Sequence, residues 1–310
     1  MNETVLHDLS LIAKENMLLE HISFLQSAVV AYSGGVDSAL VAKISQKQLG
    51  NRCLIVIADS PSLAQFELQS ARSLARKHNF VMRIIATNEL EDQRYNKNDT
   101  MRCFYCKDEL YTHLEKIRKE GGYRAILNGA NLDDKGDFRP GIKAANSFGV
   151  VSPLLQANIG KQEIRLLAKK YGLENHDKPA SPCLSSRIPH GLSVDAKKLK
   201  QIEQAEDFLR NRFGVDDFRV RHMGSSAGDR LTGATMGERS ATMGSSTDDR
   251  QEIGSSAGDH GRIDIHKDKH DLLRKNWADI ERNFAGFGFS RVELFENGLV
   301  SGVFTKHLKL

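Results

Sequence analysis

The first half of the chain alternates short apolar runs with longer segments of helical periodicity. Continuous apolar runs predict four strands that are buried on both faces. The first strand begins at Val29, and the others span 52–58, 81–86 and 123–128. Apolar residues at helical spacing predict helices at 5–27, 38–49, 63–78, 105–120 and 161–171. Strands that alternate with helices build a parallel, doubly wound sheet. We therefore expect a Rossmann-like α/β fold whose ligands bind beyond the carboxyl ends of the strands.

The pattern changes near residue 191, where longer charged segments begin. It predicts helices at 195–212 and 270–284 and strands at 217–222, 262–266 and 291–294. Short strands and helices in this mixed order indicate a smaller α+β domain. We therefore predict two domains, at 1–190 and 191–310.

A low-complexity insertion at about 224–260 interrupts the second domain. Gly-Ser-Ser recurs at 224, 244 and 254, and the segment is rich in Gly, Ser, Thr and Asp with almost no branched apolar residues. Such a composition cannot bury enough apolar surface to offset the entropy that is lost on ordering. We interpret the insertion as a flexible hairpin extension that carries no chemistry.

Composition and charge narrow the class of protein. The chain has 310 residues, of which 40% are hydrophobic, and a formal net charge of +4. No apolar run reaches the length of about 18 residues that marks a membrane-spanning helix, and the polar N-terminus is unlike a secretory signal. We expect a cytoplasmic protein that does not enter membranes. The weak positive charge does not indicate nucleic-acid binding.

A glycine loop joins the first strand to the next helix. Its residues are Ser33, Gly34, Gly35, Val36, Asp37 and Ser38. The glycines let the backbone turn sharply and approach a ligand closely, and the N–H groups at the helix start attract an anion. The serines add hydroxyl donors, and the aspartate adds a carboxylate for a magnesium ion or a ribose. The alternative is a plain turn in which a serine or the aspartate caps the helix.

The loop matches neither the Walker sequence nor the dinucleotide Gly-x-Gly-x-x-Gly sequence. It resembles the Ser-Gly-Gly-x-Asp-Ser loop of the PP-loop ATP pyrophosphatases, which are adenine nucleotide alpha hydrolase-like enzymes. Those enzymes split ATP into an adenylated substrate and pyrophosphate. The resemblance implies that ATP and Mg²⁺ bind at the loop.

Three of the four cysteines lie in segments that are suited to chemistry. Cys103 and Cys106 lie near the start of a predicted helix, a location that lowers the thiol pKa and favours the thiolate. Cys183 lies in a loop whose two prolines fix the backbone, as a loop that presents a ligand requires. Cys53 lies inside an apolar strand and is expected to belong to the core.

Several kinds of site would use the three cysteines. A structural zinc ion needs a fourth ligand, which His176 or His190 would supply. A redox Cys-x-x-Cys pair would leave Cys183 without a role. Three thiolates would hold a [4Fe–4S] cluster whose open iron carries a sulfide for transfer. Because an ATP loop is present, we favour the cluster over zinc. The remaining alternative is that Cys103 and Cys106 are ordinary residues at the start of a helix and bind nothing.

Candidate anion-binding residues lie in both halves of the chain. The acidic turn at 128–134 would either hold magnesium or be exposed to solvent. Arg139 follows this turn, and its guanidinium group would bind a phosphate or carboxylate through two hydrogen bonds. Arg219 and Arg221 alternate along a predicted strand and therefore share one face. Two neighbouring guanidinium groups repel each other unless they share an anion or face water. Arg187 in the cysteine loop is a third candidate.

Four motifs together carry a family resemblance. They are Ser-Gly-Gly-Val-Asp-Ser at 33–38, Asn-Gly-Ala-Asn-Leu-Asp-Asp at 128–134, Phe-Arg-Pro-Gly-Ile-Lys-Ala at 138–144 and Pro-Cys-Leu-Ser-Ser-Arg-Ile-Pro-His-Gly at 182–191. These motifs resemble the LarE family of ATP-dependent sulfurtransferases, which make the nickel-pincer nucleotide cofactor. The resemblance implies that a carboxylate of pyridinium-3,5-biscarboxylic acid mononucleotide is adenylated and that sulfur then displaces AMP, which leaves a thiocarboxylate.

The resemblance also implies how the sulfur is supplied. Some members of the family give up the sulfur of their own cysteine, whereas others carry three cysteines and a [4Fe–4S] cluster. Cys103, Cys106 and Cys183 match the second branch. In the first branch the donor cysteine directly follows Ala-Ser, but here Pro182 holds that place. This departure argues against self-sacrifice.

By the same resemblance the second domain would bind the nicotinic-acid-derived mononucleotide. Arg219 and Arg221 would bind its phosphate, with Glu206 nearby. Members of the family assemble as trimers of dimers, so a homo-oligomer is implied. The insertion at about 224–260 is not part of the resemblance.

Three rival functions belong to other classes. A PP-loop tRNA thiolase with three cysteines would show a basic face or an RNA-binding module, and the sequence indicates neither. An amidating PP-loop enzyme, such as an NAD or GMP synthetase, needs an ammonia source and has no use for the cysteines. A non-catalytic nucleotide-binding regulator would keep the glycine loop without needing the cysteines or Arg187.

Overall fold

A computed structural model of the chain describes residues 3–134, 140–225 and 258–300, with side chains from Leu9 onward. The described residues divide into two compact units between Leu184 and Ser185. The boundary that we expected after residue 190 falls inside the second of these units. Arg139 and nearly all of the insertion at 224–260 lie outside the described residues.

The first unit is built on a parallel sheet of four strands. They are β1 (Ala28–Ala31), β2 (Cys53–Asp59), β3 (Met82–Ala86) and β4 (Ala125–Leu127). Their order is β3-β2-β1-β4, and every pairing between neighbours is parallel. Val30 of β1 therefore lies between Ile55 of β2 and Leu127 of β4. Helical crossovers connect the strands, which confirms the predicted doubly wound α/β sheet.

Helices cover the sheet of the first unit. They are α1 (Glu3–Phe24), α2 (Val36–Leu49), α3 (Gln65–Lys77), α4 (Gln93–Asn96), α5 (Arg102–Glu120), α6 (Pro140–Ser147), α7 (Pro153–Gln156) and α8 (Lys161–Lys170). Within the described ranges no helix has the length and apolar character needed to cross a membrane. Helix starts differ from the sequence-based starts by a few residues, since helix ends are the least regular part of the pattern.

Consecutive residues of a strand point to opposite faces of the sheet. Strands β1, β2 and β4 are buried on both faces, whereas Arg83, Ile84 and Ala86 of β3 are exposed. Val29 and Val30 of β1 are both fully buried, yet they belong to different apolar cores. Val30 shares its core with Leu18 of α1 and Ile44 of α2. Val29 shares its core with Leu114 of α5. This two-sided burial explains the apolar runs of β1, β2 and β4. The prediction that the run at 81–86 is buried on both faces is wrong, because β3 lies at an edge of the sheet.

The second unit contains a mixed sheet of three strands. They are β5 (Phe218–Ser225), β6 (Asp259–Ile265) and β7 (Phe289–Leu294), with β6 in the centre, antiparallel to β5 and parallel to β7. The helices are α9 (Ala196–Phe213), α10 (His270–Lys275) and α11 (Trp277–Gly286). Leu209, Val220 and Phe284 belong to one apolar core that these elements share. A smaller α+β fold was predicted for this part of the chain and is confirmed.

The helix predicted at 270–284 is in fact two helices that meet at Asn276. This residue has φ −113° and ψ 18°, outside helical geometry. Its side-chain amide donates a hydrogen bond to the carbonyl of Leu272 at 2.8 Å. Asparagine side chains compete in this way for backbone partners, which favours a helix end over a helix interior.

The carboxyl edge of the first sheet collects the segments that carry candidate chemistry. The glycine loop at 33–38 follows β1, Ser60 and Ser62 follow β2, and the acidic turn at 128–134 follows β4. Parallel strands end at the same edge, so these segments lie together. The candidate active site is at this edge.

Candidate active site

Hydrogen bonds between its own residues close the glycine loop. The backbone N–H of Ser33 donates to Ser38 Oγ at 3.1 Å, and the Ser38 hydroxyl donates to the carbonyl of Gly35 at 3.1 Å. Gly35 is the N-cap of α2, with φ −71° and an extended backbone. The positive end of the helix dipole is therefore next to the loop, where an anion is favoured.

Gly34 is packed so closely that a side chain does not fit. Its φ of +77° lies in the left-handed region, which glycine adopts at little cost. A Cβ atom at this position would lie 2.7 Å from the Cβ of Ala71 on α3. The Gly34 carbonyl accepts a hydrogen bond from Asn175 Nδ2 at 2.9 Å. The loop is therefore held against α3 and tied to the segment that leads to Cys183.

We expect Gly34→Ala to lower the free energy of unfolding by roughly 2–5 kcal/mol, because left-handed strain of about 1–2 kcal/mol adds to an overpacked contact. The matched control is Gly214→Ala, since Gly214 has a left-handed φ of +62° and no described atom lies within 4 Å of the added Cβ. Urea denaturation of both variants measures the difference. Equal losses of stability in the two variants would contradict the close contact with Ala71.

Asp37 at the start of α2 is paired with a lysine that the sequence did not single out. Lys161 Nζ lies 2.7 Å and 2.9 Å from the two carboxylate oxygens of Asp37. The backbone N–H of Lys161 donates to Asp133 Oδ2 at 2.6 Å, and Asn131 Nδ2 lies 3.4 Å from Asp37 Oδ2. A magnesium ion at Asp37, as we predicted from the sequence, would share the carboxylate with this ammonium group.

A cavity of about 390 Å³ in the first unit connects the glycine loop to the cysteines. Its polar lining includes Ser33, Gly35, Asp37, Lys161, Cys106 and Cys183. Val56, Ile57 and Ala58 at the end of β2 supply an apolar wall. Gly34, Ser38 and Cys103 are not among the lining residues. A cavity of this volume, with an apolar wall and a few polar groups, is typical of a small-molecule site.

Two more lysines line this cavity, and the sequence-based analysis missed both. Lys107 follows Cys106 on α5. Burial lowers the pKa of Lys107, whereas the charges of Tyr111 and Cys106 raise it, and the pKa is raised overall. Lys178 Nζ lies 2.5 Å from Glu67 Oε2. Lys161 pairs with Asp37 and Lys178 pairs with Glu67, so the three lysines and these two carboxylates leave the lining with a net charge of +1, which suits an anionic ligand. No sequence signal marks them, because lysine is common on ordinary helix and loop surfaces.

The three candidate cysteines are free thiols, and Cys106 and Cys183 line the same cavity. The charges of Cys103 and Cys183 both act on the pKa of Cys106. Burial raises the pKa of Cys106 to about 12, although the neighbouring charge of Lys107 lowers it. The expectation that a helix start would favour the thiolate is therefore wrong for Cys106, because desolvation outweighs the helix dipole.

A zinc site and an iron–sulfur cluster place different demands on the spacing of their thiolate ligands. Among the described residues, no group of three or more His, Cys, Asp and Glu side chains is close enough to hold one ion. A zinc ion draws its sulfur ligands to within about 4 Å of one another, since each Zn–S bond is about 2.3 Å long. The thiolates of a cluster bind different irons and lie farther apart.

A buried polar network supports the loop that carries Cys183. The hydroxyl of Ser62 donates to Glu89 Oε1 and lies 2.6 Å from the hydroxyl of Tyr95. These three residues are each 2% exposed. The backbone N–H of Leu184, directly after Cys183, donates to the carbonyl of Ser62 at 2.8 Å. The network therefore fixes the backbone next to the cysteine.

Arg187 and Glu206 form a buried ion pair in the second unit. Arg187 is 3% exposed and Glu206 is 4% exposed. Arg187 Nε lies 2.9 Å from Glu206 Oε1, which also accepts a hydrogen bond from the backbone N–H of Val220 at 3.0 Å. The structure thus brings together two residues that the sequence singled out separately, and the pair joins the start of the unit to α9 and β5.

Arg219 and Arg221 have different partners on the same sheet. Arg219 Nη1 lies 3.1 Å from Asp217 Oδ1. Arg221 Nε lies 2.5 Å from Asp264 Oδ2, and this fully buried carboxylate also accepts from Arg262 Nε at 2.8 Å. The pKa of Arg221 is lowered overall, and burial of the side chain is the main cause. The charge of Arg262 lowers this pKa further, whereas the hydrogen bond with Asp264 raises it. The positive charge gathered on this sheet favours an anionic ligand.

Comparison with known proteins points to ATP-dependent enzymes. Residues 13–104 match the NAD synthase family. An uncharacterised protein of Synechocystis sp. is 41% identical over 209 residues, which is 67% of this chain and 78% of that protein. The pyridinium-3,5-bisthiocarboxylic acid mononucleotide synthase of Lactiplantibacillus plantarum is 33% identical over 230 residues, which is 74% of this chain and 83% of that enzyme.

A more distant similarity covers a smaller part of the chain. One component of the glutamine-hydrolysing GMP synthase of Sulfurisphaera tokodaii is 26% identical over 170 residues. The match spans 47% of this chain and 43% of that protein. It is therefore a weaker guide to this chain than the two longer matches.

Proposed function

The chain belongs to the LarE family and is an ATP-dependent sulfurtransferase of the PP-loop type, and from this premise we propose that it adenylates a carboxylate of pyridinium-3,5-biscarboxylic acid mononucleotide and replaces AMP with sulfur. The product is a thiocarboxylate on the way to a nickel-pincer nucleotide cofactor. One observation carries the proposal: Ser33 and Asp37 of the glycine loop line the same cavity as Cys183.

The glycine loop and Lys161 bind the part of ATP that leaves as pyrophosphate. A carboxylate oxygen of the substrate attacks the α-phosphorus, the bond from that phosphorus to the β-bridging oxygen breaks, and pyrophosphate departs. Its negative charge is stabilised by the N–H groups of the loop and by the ammonium group of Lys161. Asp37, which pairs with Lys161, would hold Mg²⁺, and the ion would supply further positive charge for the departing pyrophosphate.

Cys103, Cys106 and Cys183 are the residues that would hold a [4Fe–4S] cluster. When bound, such a cluster supplies an open iron that carries a sulfide. The transferred sulfur forms a bond to the acyl carbon as the carbon–oxygen bond to AMP breaks, so that AMP departs with the original carboxylate oxygen. Because Cys106 and Cys183 line the cavity that would hold the adenylate, this second step would be effectively intramolecular. Sacrifice of the sulfur of Cys183 and a zinc site are the alternatives.

The second domain takes the phosphate of the mononucleotide. The candidate residues are Arg187, Arg219, Arg221 and Glu206. Both oxygens of Glu206 bind Arg187, and Asp264 binds Arg221, so these carboxylates orient the two guanidinium groups. Arginine suits phosphate because its planar fork of donors binds two oxygens at once. Arg139 is a further candidate, because its guanidinium group follows the acidic turn at 128–134 in the sequence and would clamp a phosphate or carboxylate. The resemblance also supports a homo-oligomer built as a trimer of dimers.

A second candidate function is amidation, which the match to the NAD synthase family and the similarity to a GMP synthase favour. Both reactions begin with adenylation and differ in the nucleophile. An amidating enzyme has no use for cysteines at the cavity, whereas Cys106 and Cys183 line it here. We therefore place sulfur transfer first.

One assay separates the two functions. The anaerobically purified protein is incubated with ATP, Mg²⁺ and pyridinium-3,5-biscarboxylic acid mononucleotide, with either sulfide or ammonium present, and the products are identified by mass spectrometry. We expect a thiocarboxylate together with AMP and pyrophosphate, and iron–sulfur absorption bands in the purified protein. An amide as the main product, formed only with ammonium, would reject the proposal.

A further inference from the structure

Glu89 is a buried carboxylate that the mechanism above does not use. It is 2% exposed and begins a 3₁₀ turn, Glu89–Glu91, that follows β3. Its Oε1 atom accepts hydrogen bonds from the hydroxyl of Ser62 and, at 3.3 Å, from the backbone N–H of Ser62. Ser62 lines the cavity, and Glu89 is not among the described lining residues. Glu89 therefore acts on the cavity through Ser62.

Tyr95 of α4 completes the hydrogen bonding of the Ser62 side chain. The Tyr95 hydroxyl lies 2.6 Å from Ser62 Oγ. Because the Ser62 hydroxyl donates its one proton to Glu89, the Tyr95 hydroxyl is the donor in this contact. A buried polar group costs stability unless a hydrogen bond satisfies it, so the three side chains favour one common arrangement. This arrangement holds Ser62 in a single orientation.

The backbone of Ser62 is one anchor of the loop that carries Cys183. The carbonyl of Ser62 accepts the backbone N–H of Leu184 at 2.8 Å. Leu184 is 1% exposed, whereas the preceding Cys183 is exposed and lines the cavity. At the other end of the loop, Lys178 Nζ lies 2.5 Å from Glu67 Oε2 on α3. The position of Cys183 is therefore set by an anchor whose own orientation depends on Glu89.

We propose that Glu89 is a positioning residue for sulfur transfer, which orients Ser62 and thereby fixes the backbone at Leu184 and the place of Cys183 in the cavity. The inference rests on the function proposed above. An effectively intramolecular step needs its reacting groups in a narrow range of positions, and a misplacement of about 1 Å can slow such a step about 10²-fold. The second step of the reaction is therefore expected to depend on Glu89.

Adenylation is expected to proceed without this network. The glycine loop is closed by hydrogen bonds between its own residues. Lys161 is held by Asp37 through its ammonium group and by Asp133 through its backbone N–H. Loss of Glu89 therefore leaves the adenylate to form, but water attacks its acyl carbon in place of sulfur. This hydrolysis returns the carboxylate and releases AMP.

The first measurement is the ratio of thiocarboxylate to AMP formed by the full chain after anaerobic reconstitution with iron and sulfide. Glu89→Met keeps a similar size and removes the acceptor of both hydrogen bonds from Ser62. We expect this variant to lower the ratio at least about tenfold. Glu89→Gln keeps a carbonyl oxygen that can accept both bonds, so its ratio is expected to stay within about threefold of the wild-type value.

The second measurement is hydrogen–deuterium exchange of the metal-free full chain, which does not depend on activity. Overlapping peptides around Leu184 report how firmly its N–H is bonded to Ser62. We expect this amide to exchange at least about tenfold faster in Glu89→Met than in the wild type. Amides of β1 are expected to keep their wild-type rates, whereas a general loss of stability would accelerate exchange at both places.

The matched control is Glu15→Met in the same unit. Glu15 of α1 is 6% exposed and accepts hydrogen bonds from the hydroxyl of Tyr171 at 2.9 Å and from Lys170 Nζ at 2.6 Å. These three residues are not among the described residues that line the cavity. The control therefore removes a buried carboxylate with a tyrosine partner at a distance from the chemistry. We expect it to lower stability and to leave the product ratio and the exchange of Leu184 unchanged.

Each outcome supports or overturns the proposal. A wild-type ratio in Glu89→Met overturns it, and so does an equal fall in Glu15→Met or in Glu89→Gln, because general stability or side-chain size is then the cause. If Glu89→Met does not fold, Tyr95→Phe takes its place with Tyr171→Phe as its control. A fall of at least about threefold in Tyr95→Phe alone supports the proposal, and a wild-type ratio overturns it. A wild-type protein that forms no thiocarboxylate rejects the proposed function and this inference with it.

Discussion

Cys183→Ala is expected to reduce sulfur transfer at least about 10³-fold while pyrophosphate release from ATP continues. Cys183 lines the cavity, and its loop is fixed by the hydrogen bond from Leu184 to Ser62. Alanine can neither donate sulfur nor hold a group that does. The phosphate-binding residues are left intact by this change, so adenylation is retained. Chromatography of the thiocarboxylate and a coupled pyrophosphate assay measure the two steps separately.

The matched control for this prediction is Cys53→Ala. Cys53 is fully buried in β2, and burial raises the pKa of its thiol to about 12. We expect a modest loss of stability and no change in sulfur transfer from this variant. Transfer by Cys183→Ala at the wild-type rate would remove Cys183 from the mechanism.

The mass of the protein after turnover distinguishes the two sources of sulfur. If Cys183 sacrifices its own sulfur, each chain reacts once and loses the mass of H₂S. If the three cysteines hold a cluster that sulfide recharges, the mass of the chain stays constant over many turnovers. We expect the second result, since Pro182 departs from the sacrificial pattern.

Lys161→Met is expected to lower kcat/KM for ATP about 10²- to 10³-fold, the usual effect of removing one preorganised group that stabilises developing charge. Lys161 lines the cavity and contacts both carboxylate oxygens of Asp37. Without it, the charge on departing pyrophosphate is less well neutralised. The measurement is the steady-state rate of AMP formation at several ATP concentrations.

The magnesium dependence of the same variant provides a sharper readout. If Lys161 and Mg²⁺ share Asp37, the variant leaves the carboxylate to the metal, and half-saturation is reached at a lower Mg²⁺ concentration. The matched control is Lys169→Met, because Lys169 lies on the same helix but is exposed and outside the cavity lining. A Lys161 variant with wild-type kcat/KM and wild-type magnesium dependence would exclude this lysine from ATP binding.

The alternation of strands and helices was predictable because burial on both faces leaves a strong pattern in the sequence. Val29 and Val30 are consecutive apolar residues, and each belongs to a separate core. The glycine loop was also predictable, since few residues other than glycine adopt a φ near +77°. Such local constraints are visible in the sequence without knowledge of the partners.

Long-range pairings were not predictable in this way. Asp37 and Lys161 are 124 residues apart, and Lys161 looks like an ordinary residue at a helix start. The pKa of Cys106 depends on how deeply the thiol is buried, which the sequence does not reveal. Likewise, the strand pattern placed Arg219 and Arg221 side by side but did not indicate that Asp264 would bind one of them. These features arise from packing between distant segments.

The position of an oxygen isotope tests the central claim most directly. The substrate is labelled with ¹⁸O in its carboxylates, and the protein is supplied with unlabelled ATP and sulfide. If the carboxylate attacks the α-phosphorus of ATP and sulfur then displaces AMP, mass spectrometry finds one ¹⁸O atom in AMP for each thiocarboxylate formed, and none in pyrophosphate. Unlabelled AMP accompanied by thiocarboxylate, or label in pyrophosphate or phosphate, would contradict an acyl adenylate in the cavity that links the glycine loop to the cysteines.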